Sequence, residues 1–125
     1  MPSAGIRAAN AKCAVVNKAV NPSVFIIDDQ PLMAEGIKAV LTADGFDVVG
    51  TASDGNDGIE QCKLLRPELC VLDTSLSGLA ARLIVQDLVE LNVRVVGIAE
   101  VPDAENLQAT LDAGAVALVL KKEPV

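Results

Sequence analysis

Histidine, tryptophan and tyrosine are all absent from the 125 residues. Without an imidazole the chain has no histidine acid/base chemistry, no histidine metal ligand and no phosphohistidine relay of its own. Phe25 and Phe46 are the only aromatics, too few for a surface that stacks single-stranded nucleic acid. Positive charge is also scarce. Ten Lys and Arg face seventeen Asp and Glu, a formal charge of −7, and the basic residues form no dense run. A phosphate backbone repels such a domain, so direct contact with DNA or RNA is not expected. The cysteines are Cys13, Cys62 and Cys70, an odd number with no C-x-x-C, which reads as structural thiols in a reducing compartment. No apolar run reaches about 18 residues, so no transmembrane span is expected. The first residues lack the pattern of a cleaved signal. The expectation is a cytoplasmic protein without membrane contact.

What is present is aliphatic. The apolar fraction is 51%, mostly Val, Leu, Ala and Ile, which suits a parallel sheet covered by helices. Residues 23–27 form an apolar strand that runs into Asp28-Asp29. Pro31 then stands at a helix start, and Leu32, Met33, Gly36, Ile37, Val40 and Leu41 supply an apolar stripe to about Ala43. Asp44-Gly45 is a turn. Residues 46–50 read as a second strand. Ser53 or Asp54 caps a helix over Ile59, Cys62 and Leu65 that stops at Arg66-Pro67. Residues 69–72 are a third strand, with Cys70 as a small core residue, ending at Asp73 and a Thr/Ser/Gly loop. Leu79 to Leu91 reads as a helix with Leu83, Ile84, Leu88 and Leu91 inward. Residues 93–98 and 115–120 are the last strands, separated by a helix that opens at Pro102-Asp103 and ends at Ala113-Gly114.

This alternation predicts an α/β fold, a doubly wound parallel sheet with right-handed crossovers. Residues 1–22 stand apart as an extension before a domain spanning 23–125. Ile6, Ala9, Cys13, Val16 and Val20 recur at helical spacing there, and Asn21-Pro22 would end such a helix. The fifth strand has no following helix, so the final helix is missing from the chain. A helix over residues 4–19 would cover the face left open. The alternatives are a partner chain or a helix beyond Val125. An uncovered apolar face also makes a homodimer an expectation.

Three strand ends carry charge: Asp28-Asp29, Asp73, and Lys121 after the last apolar run. Open α/β sheets place their chemistry at the carboxyl ends of the strands. A carboxylate ending a buried strand is costly unless it has a partner. Three in one cleft repel and invite a divalent cation, and hard Mg²⁺ prefers oxygen ligands. With the cluster neutralised, one carboxylate can attack a phosphoryl donor and form an aspartyl phosphate. Lys121 would supply a mobile positive charge. The plain alternative is that Asp28-Asp29 cap a helix and Lys121 is a solvated end.

The order DDQPLMAEG at 28–36, VVGTASDG at 48–55, PELCVLD at 67–73 and DAGAVALVLKK at 112–122 resembles the receiver domain of two-component response regulators. The likeness covers about residues 23–122 and is greatest to receivers that precede a helix-turn-helix output domain. It implies a flavodoxin-like, five-stranded sheet in order 2-1-3-4-5. It implies a phosphoacceptor at Asp73, and Mg²⁺ held by Asp29, Asp73 and the backbone carbonyl of Ser75 with support from Asp28. It also implies Lys121 on the phosphoryl group and a sensor histidine kinase as donor. Such a domain signals to an output and is not a turnover enzyme. The departures are Ala99 for a hydroxyl residue, Glu100 for a small one, Leu118 for the switch aromatic, Ser77 for a proline and Ala81 near a glycine. They leave a second reading open, a degenerate receiver that binds partners without phosphorylation. A nucleotide-binding fold is disfavoured, because no G-x-G-x-x-G and no G-x-x-x-x-G-K occurs. A metal-dependent phosphohydrolase would carry a second Asp shortly after the first, and Ser75 stands two residues beyond Asp73.

Overall fold

The computed structural model describes residues 21–75, 78–99 and 104–120. Strands and helices alternate strictly through them: β1 (Ser23–Ile27), α1 (Pro31–Ala43), β2 (Asp47–Ala52), α2 (Gly55–Leu65), β3 (Leu69–Asp73), α3 (Gly78–Glu90), β4 (Arg94–Ala99), α4 (Ala104–Asp112) and β5 (Ala117–Leu120). The five described strands form one parallel sheet in the order β2-β1-β3-β4-β5, flanked by helices. The expected absence of a fifth helix falls on residues 121–125, and the helical reading of residues 4–19 falls on 1–20. Both lie outside the described residues.

The central strands are apolar on both sides because both sides are covered. Phe25, Ile27, Cys70, Leu72 and Val95 share one core with Ile59 and Cys62 of α2 and Ile84, Val85 and Leu88 of α3. Val24, Ile26 and Val71 face the other way, with Ala34, Ile37 and Leu41 of α1. Cys62 and Cys70 are free and fully buried, as core residues. The hydrogen bond between them, together with burial, pushes the Cys70 thiol well up, while the same bond draws Cys62 down against its burial.

Two helix stripes differ from the sequence expectation. In α1 the sheet-facing residues are Ala34, Ile37 and Leu41, while Leu32 is 87% exposed and Val40 is exposed too. In α3, Leu83 is half exposed, and Ala81, Ile84, Val85 and Leu88 are buried. Apolar residues fill a wider arc of each helix than the sheet covers, so large residues at the arc's edge stay in water. Strand limits shift slightly as well. β2 starts one residue later than expected and runs on to Ala52, and β5 is shortened to Ala117–Leu120. The delay follows from the turn after α4. Gly114 takes φ +122, where Gly costs little, and the Ala115 N–H still donates to Thr110.

α2 begins with a side-chain cap. Asp54 has extended backbone angles and accepts from the Asp57 N–H at 2.8 Å, so Asp54 rather than Ser53 is the cap. Asp54→Ala should cost about 1 kcal/mol, read as a lower urea midpoint at unchanged slope. A loss within error of zero would show that water replaces the cap at that exposed end.

Candidate functional site

The carboxyl edge of the sheet gathers three carboxylates. Asp28 follows β1, and its N–H donates to the Ala52 carbonyl at 3.0 Å, which ties it to the end of β2. Its Oδ1 accepts from the Gln30 N–H at 2.8 Å and turns the chain into α1. α1 is therefore entered through Gln30 and Pro31, with no side-chain cap at Gln30. Asp29 is exposed. Asp73 is the last residue of β3, opposite Ile98, and only 1% exposed. Asp28 is 2% exposed. One oxygen from each of Asp28, Asp29 and Asp73 lies within 4.8 Å of the others.

Two charges 4.8 Å apart repel by roughly 3 kcal/mol at an effective dielectric near 20. Two of the three are also shielded from water, which adds desolvation. A divalent cation relieves both costs. The donors are all hard oxygens on adjacent elements, so the residues fit such an ion, and the cluster is able to coordinate one.

The loop after β3 finishes the site. The Thr74 N–H and hydroxyl both donate to the Ile98 carbonyl, at 2.9 and 3.2 Å, extending the β3–β4 ladder past Asp73. Thr74 is fully buried. Ser75 returns to the phosphoacceptor candidate, with its N–H at 3.0 Å and its hydroxyl at 2.7 Å from Asp73 Oδ1. Ala99 ends β4 beside Leu120 and is 3% exposed, presenting a methyl group with no donor. Leu118 lies in β5 in register with Gly97. Ala81 is fully buried in α3. Lys121, Glu100 and Ser77 lie outside the described residues.

Sequence reasoning therefore named the three carboxylates that converge. It missed the side-chain bond from Ser75 and the turn of Thr74 toward β4. The resemblance points only to the backbone carbonyl of Ser75. A hydroxyl two residues after a strand-end Asp is a signal for such a bond, because Asx-type turns close at that spacing. Thr74 offered no such signal, since its partner belongs to another strand.

A parallel sheet between helices, with an acidic cluster at its carboxyl edge, is compatible with a phosphoacceptor domain of the α/β class. The family model described as "Response regulator receiver domain" matches residues 24–124, and the chain belongs to that family. Receiver domains are signalling modules that control an output or partner, not turnover enzymes. Among relatives, a nitrate/nitrite response regulator homologue of Haemophilus influenzae is 35% identical over 102 residues, covering 78% of this chain and 49% of that protein. NarL of Escherichia coli is 32% identical over 102 residues, 79% of this chain and 47% of its own length. The chain thus spans about half the length of these curated relatives. The solved receiver domain of NarL from Mycobacterium tuberculosis superposes with a TM-score of 0.74 at 28% identity, over 83% of this chain and 86% of that one. CheY of Borrelia burgdorferi shares the fold, with a TM-score of 0.78 at 20% identity over 87% and 84% of the two chains. No helix among the described residues is long and apolar enough to cross a membrane.

Proposed function

We propose that Asp73 is the phosphoacceptor of a two-component phosphorelay, with a sensor histidine kinase as donor and transcription as the regulated process. The observation that carries this reading is the convergence of Asp28, Asp29 and Asp73 within 4.8 Å, with Asp73 at the end of the central strand β3. Asp29, Asp73 and the Ser75 carbonyl would hold Mg²⁺, with Asp28 in support. The ion would neutralise the cluster and the incoming phosphoryl oxygens. An Asp73 oxygen forms a bond to phosphorus while the bond to the donor breaks, and the donor leaves with the electron pair. Lys121, the residue after β5, would contact a phosphoryl oxygen as a point charge. Residues 23–125 would form the receiver and 1–22 an extension. Relatives of about twice the length support an output segment or partner beyond these residues.

The test is incubation with acetyl phosphate and Mg²⁺, followed by mass spectrometry of the peptide carrying Asp73. One added phosphoryl group, lost when EDTA is present from the start, is the expected result. Its absence, together with no beryllofluoride adduct, would favour the second reading. That reading, a phosphorylation-independent interaction module, draws on one observation: the buried Ala99 at the end of β4 offers no donor to a phosphoryl group.

A further inference from the structure

Among the described residues, the two hydroxyls that follow Asp73 are not equivalent. Thr74 is fully buried, and its hydroxyl donates to the Ile98 carbonyl, so it is committed to the β3–β4 ladder. Ala99, at the end of the neighbouring strand, has no donor. Ser75 is exposed, and both its N–H and its hydroxyl already donate to Asp73 Oδ1. A serine hydroxyl turns about one side-chain bond and serves whichever acceptor is more negative.

Phosphorylation would shift the negative charge of this corner. The Asp73 carboxyl would lose its formal charge to the new acyl phosphate bond, and its oxygens would become weaker acceptors. The charge would reappear on phosphoryl oxygens one bond further out. Hydrogen bonds to charged acceptors are about twice as strong as neutral ones. A mobile donor held at 2.7 Å from the carboxylate is placed to follow that charge. We propose that the Ser75 hydroxyl is a hydrogen-bond donor to the phosphoryl group on Asp73, at a corner where the Ala99 side chain offers none. This rests on Asp73 being the phosphoacceptor, as proposed above. The resting bond preorganises the donor, so little side-chain freedom remains to be lost when the phosphoryl group arrives.

The experiment compares wild type, Ser75→Ala and Ser75→Thr, with beryllofluoride as the phosphoryl mimic and Mg²⁺ in constant excess. Mg²⁺ affinity alone is measured in parallel. Beryllofluoride affinity should fall roughly tenfold or more in Ser75→Ala, the value of one charge-assisted hydrogen bond. Any loss of Mg²⁺ affinity should be smaller than the loss of beryllofluoride affinity, because the backbone carbonyl at 75 is retained and only the hydroxyl bond to Asp73 is gone. Ser75→Thr, which restores a hydroxyl, should recover most of the loss. Equal or tighter beryllofluoride binding by Ser75→Ala would overturn this inference and leave the phosphoacceptor reading standing. A Mg²⁺ loss as large as the beryllofluoride loss, or no rescue by Thr, would overturn it too, by assigning Ser75 to the shape of the loop and the metal site alone. Failure of the wild type to bind beryllofluoride at all would remove both readings.

Discussion

Asp73→Asn should abolish phosphoryl transfer to the chain and at the same time raise its stability when no divalent cation is present. The first effect follows from chemistry: an amide oxygen is a poor nucleophile, and no other carboxylate of the cluster ends the central strand. The second follows from charge. Asp73 is 1% exposed and shares a space 4.8 Å across with two other carboxylates. Removing one charge relieves repulsion, while the amide oxygen can still accept from both Ser75 donors. The net gain should be on the order of 1–2 kcal/mol, below the bare Coulomb value because the exposed Asp29 is screened by water. Wild type should show the converse response. Mg²⁺ at tenfold its Kd should stabilise it by about 1.4 kcal/mol, and the variant should lose most of that gain. Thermal melts with EDTA and with Mg²⁺ read both signs on one sample. A variant that melts lower than wild type in EDTA would contradict the repulsive cluster. A variant that still takes up phosphate from acetyl phosphate would move the acceptor elsewhere.

Phe25→Ala should have the largest effect on stability. Phe25 is a large side chain with no solvent exposure, on the interior strand β1, and it joins the core that docks α2 and α3. Truncating a buried Phe costs about 3–5 kcal/mol through lost burial and the cavity left behind. Native domains have only about 5–15 kcal/mol in hand, so the melting temperature should fall by roughly 10–25 °C. The structure also predicts a coupling. β2 bulges opposite Val24/Phe25, which sets Gly50 beside the Phe25 ring. A Cβ at Gly50 would lie 2.7 Å from Phe25 Cε2, closer than packing allows. Gly50→Ala should therefore destabilise wild type by about 1–3 kcal/mol, and much less in the Phe25→Ala background. Additive losses in the double-mutant cycle would mean that the ring moves aside freely, contrary to a tightly packed core.

The alternation of elements was legible because it rests on local rules. Pro31 and Gly114 mark helix ends by their backbone preferences and Asp54 by its capping side chain, and each does so in the structure. The acidic cluster was legible for a related reason. A charged residue closing an apolar strand in a parallel sheet has one edge to go to, and Asp28 and Asp73 both reach it. Composition, charge pattern and strand endings thus determined the α/β fold, the location of the site and the three carboxylates in it. Tertiary structure alone decided which face of each helix is wet. Leu32 and Leu83 sit on apolar arcs like their buried neighbours, and only the width of the sheet beneath leaves them in solvent. It alone decided where each hydroxyl points. Thr74 and Ser75 are consecutive and chemically alike. One is drawn to a β4 carbonyl that is distant in sequence, the other back to the carboxylate two residues before it. A side-chain hydrogen bond goes to whichever acceptor folding brings within about 3 Å.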